Sequence, residues 1–578
     1  MRKILCILMD VIMTCLLAAC GGQQNGQKSS PEDGSEENTV LQEEAGGDED
    51  VGSIPEQQPE EAKIYASKHP YDSVFPQHEP YGEGIGAMPG RVVWNYDTDS
   101  VLWDGDGYWW RPENFDEAVI QGMVDDSIAS LGGKETAGEG WNVLFQAHNE
   151  ARGKGSVSYA AGEKIAIKAN INGSGVFDDD TSGETQMSYT NPVLLKALLV
   201  SLVEEAGISP EDIAVYDVSR LFPDYMAEMC TEGILEGVRF VDRRNGIADE
   251  NVPINWSYEF GGAVNYLPAC VTEAEYLINL ANLKGHSYGI TLCGKNHFGS
   301  FINGNAMRPP EGANLHQFLT RNEMGVYSPL TDLMANEQLG GKTVLYMLDA
   351  LICATSEGAS ITEETARWRQ APFDGNYTSS VFVSQDPVAI DSVGADFLIN
   401  EPAVTEHNGA LRDNPNVENY LHEAALIQNA PSGNVYYNGY GEAVENLGVH
   451  EHWNNSTEKM YSRNLGKEIL WLKQEPVLSL PGLEIDPAHR KVYCSDQEID
   501  LTAKEYDILC LFAANKGFVL TYDQIYRKVW KEDAFGGANN AIACHVHNLR
   551  EKVGKLLPDG CFVIRCVREV GYCFDMDS

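Results

Sequence analysis

Apolar residues recur with helical periodicity near the end of the chain. In NNAIACHVHNLREKVGKLL, residues 539–557, they follow one another at spacings of four, three, four and three. Such spacing places them along one face of a helix. The predicted apolar stripe consists of Ile542, Val546, Leu549, Val553 and Leu556. The residues predicted to face away from the core are Asn540, Cys544, His547, Asn548, Glu551 and Lys555.

Two shorter helices are predicted before this one, and each begins at a capping box. LTAKEYDILCLFAANKG has Thr502 three residues before Glu505, and Gly517 can end the helix. LTYDQIYRKVW repeats the device with Thr521 and Gln524. After the long helix, CFVIRCVREVGYCF alternates as a β-hairpin whose strands meet at residues 568–570. Three helices followed by a hairpin predict a winged helix.

The pattern differs between residues 82 and 473, where β-rich runs alternate with helical ones. KIAIKANING predicts a strand at Ile165 to Ile167, and TNPVLLKALLVSLVEEAG predicts a helix with Pro192 in its first turn and Gly207 at its end. DIAVYDVS, KTVLYMLDA and SSVFVSQDPVAIDSVGADFL supply further strands of the buried type, the last followed by a helix. The expected fold is an α/β domain with a largely parallel sheet.

Polar residues cluster at the ends of these strands and in the loop LKGHSYGITLCGKNHFGSF. Ligands of open α/β sheets bind at the carboxyl ends of the strands, and such a mixture of side chains could hold an anion or a hard metal. The candidates for one ligand site are Lys168, Asn170, Asn172, Asp217, Lys284, His286, Lys295, Asn296, Asp349 and Asp386. Each aspartate or asparagine at a strand end is equally consistent with a structural cap or turn residue.

The first twenty residues have the pattern of a targeting segment. Arg2 and Lys3 precede an apolar stretch that is short for a membrane span, and LAAC ends at Cys20. This arrangement resembles a bacterial lipoprotein signal, in which the cysteine is acylated. Cys20 is therefore the expected lipidation site, and an uncleaved signal anchor is the alternative. Either would place the body of the chain outside the cytoplasmic membrane.

These patterns predict four segments. Residues 1–20 are the signal peptide, and residues 21–80 are a disordered acidic linker, since their composition cannot bury enough apolar surface to fold. Residues 81–475 form the α/β domain, and residues 476–578 form the winged helix.

Charge separates the last segment from the rest. The chain has 578 residues, 86 acidic and 41 basic, and a net charge of -45, which opposes nucleic-acid binding unless the basic groups are segregated. From Val477 onward there are 12 basic and 15 acidic residues, a net of -3, which leaves 29 and 71 before it. This change in composition suggests modules of different origin. Six of the 13 cysteines also lie in the last segment, and they include no CxxC pair for a zinc ribbon. So many thiols in a segment of this size favour a reducing compartment over an oxidising one.

The middle segment resembles a bacterial family known as domain of unknown function 362, over roughly residues 85–400. The stretches that carry the resemblance are GRVVWNYDTDSVLWDGDGYWW, GEKIAIKANING, VNYLPAC, LKGHSYGITLCGKNHFGS and SQDPVAIDSVGADF. The family implies no secure chemistry, so whether this segment is an enzyme stays open. Some relatives carry an iron–sulfur segment, but Cys230, Cys270, Cys293 and Cys353 are too scattered for one. We therefore expect no iron–sulfur cluster and predict no cofactor, although the polar side chains of this domain could hold a divalent metal.

The last segment resembles the OmpR/PhoB-type effector domain of response regulators, over about residues 480–576. LEIDPAHRKVYCSDQEIDLTAKEYDILCLFAANKGFVLTYDQIYRKVW through VREVGYCF carries this resemblance. It implies that the third helix lies in the major groove of double-stranded DNA and that the wing reaches the minor groove. The residues implied to face DNA are Asn540, Ala541, Cys544, His545, His547, Asn548, Arg550, Arg568 and Tyr572.

The resemblance also implies individual roles. His545, His547 and Arg550 would contact phosphates, whereas Asn548 would read base edges. Ala541 and Cys544 would meet thymine methyl groups. Arg568 would enter the minor groove with support from Tyr572. His545 and His547 are not expected to bind a metal together, because residues two apart on a helix point to different faces.

Some positions depart from the family. Asn540, His547 and Asn548 stand where many members have arginine, and Glu569 replaces the usual glycine of the wing. Fewer phosphates would then be neutralised, so DNA affinity should be lower and less dependent on salt. No receiver domain with a phosphoacceptor aspartate is recognisable upstream.

The expected function is therefore DNA binding and regulation of transcription through the last segment. The alternative is a membrane-anchored lipoprotein whose α/β domain binds or transforms a small ligand, with the winged helix vestigial or joined by gene fusion near LKQEPVLSLPGLEI. The two ends of the chain disagree over location, because the leader favours export whereas a regulator of transcription acts in the cytoplasm. The expected partners are double-stranded DNA, a membrane through the lipid at Cys20, and an unknown small ligand.

Overall fold

The computed structural model describes residues 75–575 with several gaps. The gaps are residues 175–180, 303–312, 320–322, 415–416, 458, 462–468, 474–477, 481–482, 487–490, 495–496, 500, 515–518, 531–537, 555–562 and 569. The predictions for the signal peptide, for Cys20 and for most of the linker lie outside the described residues. Within the described ranges, no helix has the length and apolar character needed to cross a membrane.

Strands occur in both halves of the described chain. They are β1 (Tyr81–Gly82), β2 (Val92–Tyr96), β3 (Ile165–Lys168), β4 (Ile213–Asp217), β5 (Arg239–Asp242), β6 (Ala248–Ile254), β7 (Asn265–Pro268), β8 (Tyr276–Asn282), β9 (Thr343–Ala350), β10 (Ser380–Ser384), β11 (Val449–His450), β12 (Ile469–Lys473), β13 (Leu478–Leu480), β14 (Leu483–Asp486), β15 (Lys491–Cys494), β16 (Gln497–Glu498), β17 (Val519–Thr521), β18 (Val563–Val567) and β19 (Gly571–Asp575).

The α-helices alternate with these strands. They are α1 (Glu117–Leu131), α2 (Ala137–Ala151), α3 (Pro192–Val200), α4 (Asp224–Met229), α5 (Ala269–Thr272), α6 (Leu292–Asn296), α7 (His316–Leu319), α8 (Pro329–Ala335), α9 (Glu363–Ala366), α10 (Pro387–Ile399), α11 (Pro402–Thr405), α12 (Gly409–Asp413), α13 (Asn419–Ala425), α14 (Ala503–Ala514), α15 (Tyr522–Trp530) and α16 (Ala538–Gly554).

An eight-stranded sheet organises the α/β part, in the order β12-β2-β10-β9-β8-β3-β4-β5. Strands β9, β8, β3, β4 and β5 run parallel to one another, and β12 runs parallel to β2. Strand β10 alone reverses direction in this sheet, since it pairs antiparallel with both β9 and β2. The predicted largely parallel sheet is confirmed, with one reversed strand.

Both faces of the sheet are covered, as expected for buried parallel strands. Ile165 and Ile167 of β3 belong to one apolar cluster together with Trp141 of α2, whereas Ala166 belongs to a second cluster together with Phe397 of α10. Successive residues of β3 therefore face opposite layers, because side chains alternate along a strand. The carboxyl ends of the parallel strands stay free for a ligand.

Local sequence features set both ends of helix α3. The Asn191 side chain accepts hydrogen bonds from the backbone of Val193 and Leu194, and Pro192 occupies the first turn. The helix continues as a π-helical turn over Ser201–Glu205. Gly207 then adopts a φ of 70°, which glycine accommodates without the usual steric cost. The predicted helix and both of its ends are confirmed.

The C-terminal part has the predicted winged-helix elements. Both capping boxes form: the backbone N–H of Thr502 donates to Glu505 Oε2 at 2.9 Å, and that of Thr521 donates to Gln524 Oε1 at 2.9 Å. Strands β18 and β19 pair antiparallel around residues 568–570, and β17 adds a third strand beside β19. A second sheet has the order β13-β14-β15-β16.

Helix α16 buries the predicted stripe in the core of this part of the chain. Ile542, Val546, Leu549 and Val553 are at most 2% exposed, which confirms four of its five members. The fifth, Leu556, and the predicted helix end at Gly517 lie outside the described residues.

Candidate functional site

A cavity of about 270 Å³ opens at the carboxyl ends of β3, β4 and β8. Seven of the ten predicted ligand-site residues line it: Asn170, Asn172, Asp217, Lys284, His286, Lys295 and Asn296. The other lining residues are Ser219, Arg220, Asn282, Tyr288, Thr291, Leu292, Phe298, Gly299, His316 and Glu357. The parallel strands bring these side chains together because their carboxyl ends share one edge of the sheet.

A buried ion pair supports the cavity wall. Lys168, the eighth predicted residue, is fully buried behind the cavity, and its Nζ donates to Asp217 Oδ2 at 2.9 Å. Lys168 also donates to the carbonyl of Ala169 at 2.6 Å. Asp217 accepts further hydrogen bonds from the backbone N–H groups of Ser219 and Ile171. Burial lowers the pKa of Lys168, whereas the Asp217 carboxylate opposes that shift.

Three cationic side chains face the cavity. Lys284 Nζ donates to Asn170 Oδ1 at 3.0 Å, and burial lowers the pKa of Lys284 to about 8. Lys295 Nζ lies 4.4 Å from the centre of the Phe298 ring, and burial lowers the pKa of Lys295 to about 7. The third cation, Arg220, donates to Asn172 Oδ1 at 2.9 Å.

The side chains that line the cavity include more cationic than acidic groups. Asp217 already pairs with Lys168, and Glu357 is the other carboxylate among the lining residues. Arg220, Lys284 and Lys295 therefore outnumber the one acidic group that does not pair with Lys168, in a chain that is acidic as a whole. Such an enclosure favours an anionic ligand.

His286 adds a neutral donor to this wall. Burial lowers the pKa of His286 to about 2, so the ring is uncharged near neutral pH. Its Nδ1 accepts a hydrogen bond from the backbone N–H of Tyr288 at 3.1 Å. The proton of the neutral ring is therefore on Nε2, which makes Nε2 a hydrogen-bond donor.

Asp349 lies beside the cavity and does not line it. Its carboxylate accepts from the backbone of Asn191 at 2.7 Å and from Asn282 Nδ2 at 3.1 Å. Burial raises the pKa of Asp349 to about 6. Through Asn282, which lines the cavity, Asp349 fixes the wall and leaves ligand contact to other residues.

The prediction that Asp386 joins this site is wrong. Asp386 follows β10, and because β10 is antiparallel to β9, its carboxyl end lies at the opposite edge of the sheet. The carboxylate instead caps α10 by accepting from the backbone of Val388 and Ala389, and it also accepts from Ile85 and Val449. Here the structural-cap interpretation is correct.

Sequence reasoning missed several lining residues. Arg220 stands three positions after Asp217 in the same loop, so its proximity to a predicted strand end could have identified it. Glu357 belongs to the long connection after β9, whereas His316 begins the short helix α7, and no periodicity of the sequence marks either residue.

A second candidate surface is the solvent-facing side of α16 together with the hairpin turn. Cys544, His547 and Asn548 are exposed on the helix, and Arg568 is exposed at the turn between β18 and β19. Tyr572 is buried under the hairpin, with its ring 5.7 Å from that of Tyr522. Ala541 is half-buried, and nothing is described of the Asn540 side chain.

Two of the residues that are implied to contact phosphates already contact other residues of the domain. The ring of His545 lies 5.6 Å from that of Trp530 on α15. Arg550 donates to the carbonyl of Ile564, and its guanidinium lies 5.5 Å from the centre of the Tyr572 ring. Arg550 therefore ties α16 to the hairpin.

Comparison with known families decides the class of both parts of the chain. Residues 496–574 match the family described as transcriptional regulatory protein, C terminal, and residues 165–396 match the domain of unknown function DUF362. The chain thus joins an OmpR/PhoB-type DNA-binding domain to a DUF362 domain. Both resemblances are confirmed, over spans narrower than the sequence patterns predicted.

Relatives of known sequence match the OmpR/PhoB-type domain. The transcriptional regulatory protein SrrA of Staphylococcus aureus is 32% identical over 102 residues, which are 18% of this chain and 42% of SrrA. The chain thus spans less than half of the length of this relative.

Solved structures match the same domain. The DNA-binding domain of Bacillus subtilis CssR is 29% identical, with 16% of this chain and 98% of that chain covered and a TM-score of 0.14. The DNA-binding domain of CpxR from E. coli is 26% identical, with 18% and 100% covered and a TM-score of 0.16.

Proposed function

We propose that the chain binds duplex DNA and regulates transcription through its OmpR/PhoB-type domain. The observation that carries this proposal is the family match of residues 496–574. The exposed side of α16 and the exposed hairpin turn support it, because a helix and a wing can approach DNA together only from a solvent-facing surface.

Different exposed residues suit base readout, phosphate contact and minor-groove contact. Asn548 presents an amide that can pair bidentately with adenine in the major groove, and Ala541 and Cys544 can meet thymine methyl groups. His547 would contact a phosphate, and Arg568 would enter the minor groove from the hairpin turn. His545 and Arg550 would have to exchange their contacts within the domain for phosphate contacts.

The charge of the domain predicts the character of the binding. Residues from Val477 onward have a net charge of -3, so few phosphates can be neutralised. Because each neutralised phosphate releases counterions, few contacts give a modest affinity and a shallow dependence on salt.

Replacing Arg568 with alanine should weaken DNA binding by about tenfold or more, since a charge-assisted contact contributes about 1.5–3 kcal/mol. The measurement is fluorescence anisotropy of the full chain with a duplex that the chain itself has selected from a random pool. Arg111→Ala is the matched control, because it removes one exposed arginine from the α/β domain. Equal affinity of the two variants would rule out the wing contact.

We also propose that Cys20 anchors the chain to a membrane, as the leader sequence suggests. The test is an immunoblot for a C-terminal epitope after cell fractionation and protease treatment of intact cells. A full-length membrane band destroyed by external protease would support the anchor and argue against chromosomal regulation. A protected cytoplasmic band would mean that the leader is not used, and it would leave the DNA proposal standing.

A second candidate function rests on the cavity of the α/β domain. We infer that the cavity binds a small anion, which Arg220, Lys284 and Lys295 would hold by charge and His286 Nε2 by hydrogen bonding. The excess of cations among the lining residues supports this inference.

Anion binding in the cavity should weaken by about tenfold or more between about pH 6 and about pH 9, since each charge-assisted hydrogen bond contributes about 1.5–3 kcal/mol. Lys295, with a pKa of about 7, and Lys284, with a pKa of about 8, carry their charge below these values and lose it as the pH rises. Sulfate is the probe for titration calorimetry with the full chain, because its own charge is constant over this range.

Two variants test the origin of this pH dependence. Lys295→Met should weaken sulfate binding at low pH and flatten the profile. Lys164→Met removes a partly exposed lysine that pairs with Glu273, and it should leave the profile unchanged. A sulfate affinity that did not vary with pH would contradict the assignment.

A further inference from the structure

A histidine cluster lies apart from the anion cavity, where the start of the described α/β part meets a segment near its end. Strand β1 pairs antiparallel with β11, so His78, just before β1, comes close to His450 on β11 and to His452 just after it. One ligand atom from each of the three rings lies within 4.8 Å of the others. His450 and His452 are buried, and His78 is half-buried.

The outer nitrogen of each ring is already held by an acceptor. His78 Nδ1 lies 2.7 Å from the carbonyl of Glu79, and His452 Nδ1 lies 2.7 Å from Asp396 Oδ1. His450 Nδ1 lies 2.8 Å from Ser392 Oγ, whose own hydrogen is donated to the carbonyl of Val388. A carbonyl and a carboxylate can only accept a hydrogen bond, and so can a hydroxyl whose hydrogen is already donated elsewhere. Each Nδ1 therefore carries the ring proton.

This arrangement leaves Nε2 lone pairs on His78 and His450, and a bound cation would also take the Nε2 of His452, which otherwise donates to Glu418. The described residues offer no hydrogen-bond partner to the buried Nε2 atoms of His78 and His450. Buried polar atoms are normally satisfied, so these converging nitrogen atoms suit a cation as their common partner.

A carboxylate completes the set of acceptors. Glu418, at the start of α13, places Oε1 2.5 Å from His452 Nε2 and 4.0 Å from His450 Nε2. Its side chain is only 8% exposed, so water does not compensate its charge. Three imidazole nitrogens and one carboxylate oxygen thus converge on one point.

We propose that His78, His450, His452 and Glu418 bind a divalent transition-metal ion, with zinc as the best match to the donors. Neutral imidazole and carboxylate are common zinc ligands, and four of them satisfy its preferred tetrahedral geometry. The contacts of the three Nδ1 atoms are those that orient metal-binding histidines and raise the basicity of the coordinating nitrogen.

The distances suit a site that closes on its metal. Zinc–nitrogen bonds of about 2.0–2.1 Å place ligand atoms about 3.4 Å apart in a tetrahedron. The rings would therefore move together by about 1 Å, which half-buried His78 can accommodate. His422 lies beside the site, with Nε2 3.9 Å from Glu418 Oε2, and it can supply a further donor.

A metal at this site would cross-link distant segments of the α/β domain. His78 and the pair of His450 and His452 belong to segments at opposite ends of its described sequence, and Glu418 comes from a helix between them. A metal held by all four residues would fix the β1–β11 pair. Since binding to the folded state alone stabilises it, metal removal should lower the thermal midpoint of unfolding.

The test uses the full chain without a polyhistidine tag. The chain is stripped of metal with a chelator, incubated with zinc and then desalted to remove unbound zinc. Plasma mass spectrometry should find about one tightly held zinc ion per chain, as a four-ligand site implies. His78→Ala should lose this ion, whereas His407→Ala, which removes a histidine outside the cluster, should retain it. Less than about a tenth of an equivalent in the unmodified chain, or equal retention by both variants, would overturn the proposal.

Cobalt gives an independent readout if a variant is unstable. The unmodified chain with Co²⁺ should show the intense visible absorption of tetrahedral coordination. Glu418→Gln preserves the shape of the side chain and should weaken metal binding by at least the roughly 10–100-fold that is typical for loss of an outer-shell partner. An octahedral spectrum, or an affinity unchanged in Glu418→Gln, would exclude this ligand set and would favour a buried His452–Glu418 ion pair.

Discussion

Asp217→Ala should lower the free energy of unfolding of the α/β domain by about 3–5 kcal/mol. The loss arises because Lys168 is fully buried and Asp217 is its carboxylate partner at 2.9 Å. Removing Asp217 leaves an uncompensated charge in the interior, which costs far more than an exposed ion pair contributes. Urea unfolding followed by tryptophan fluorescence measures this, because residues 476–578 contain only Trp530 of the ten tryptophans.

The pH dependence of this loss identifies its cause. In the variant, the pKa of Lys168 in the folded chain falls further below the unfolded value of about 10.4. Between these two values the unfolded chain holds one more proton than the folded chain, so the stability of the variant rises with pH. The deficit should therefore be largest at neutral pH and below, and it should shrink toward about pH 10.

A double variant provides the control for the ion pair. Lys168→Met with Asp217→Ala removes both charges, and it should lose less stability than Asp217→Ala alone. Equal losses in the single and double variants would show that the unpaired charge is not the cause.

Leu549→Ala should destabilise the OmpR/PhoB-type domain by about 2–5 kcal/mol and abolish DNA binding under conditions where the α/β domain stays folded. Leu549 is completely buried in the stripe of α16, and truncation leaves a cavity in the core that positions this helix. Small domains have total stabilities of about 5–15 kcal/mol, so this loss is a large fraction of the whole.

Hydrogen exchange measured by mass spectrometry resolves the two domains separately. Peptides from α16 should lose protection in Leu549→Ala, whereas peptides from β9 should keep it. Cys544→Ala alters an exposed residue of the same helix and should preserve its protection. Loss of protection in β9 as well would mean that the domains unfold as one unit.

Sequence was most informative where structure is local. The stripe of α16 follows from a periodicity of four and three, and the capping boxes at Thr502 and Thr521 follow from residues three positions apart. Such features require no knowledge of distant contacts. The family of the C-terminal domain was recognisable for the same reason.

The cavity was predicted as a cluster, and the failure at Asp386 has a definite physical cause. A buried strand pattern does not reveal the direction of the strand in its sheet. The rule for strand ends therefore included β10, which runs opposite to its neighbours. Lys168 and Asp349 were recognised as polar residues at strand ends, but their burial behind the wall depends on packing that no local pattern contains.

The histidine cluster could not be found in the sequence. His450 and His452 are adjacent enough to suggest a metal pair on a strand, but His78 precedes them by most of the α/β domain and fell within the predicted linker. Only the pairing of β1 with β11 brings these residues together.

The most direct test of the central claim is anisotropy of the full chain on its own selected duplex at increasing salt concentration. Binding should be saturable, and the logarithm of the association constant should fall linearly with the logarithm of the salt concentration, with a slope of about -2 to -4, as expected for a few phosphate contacts. Leu549→Ala should not bind under the same conditions. Failure to select any duplex, or equal binding by Leu549→Ala, would contradict DNA binding by the C-terminal domain.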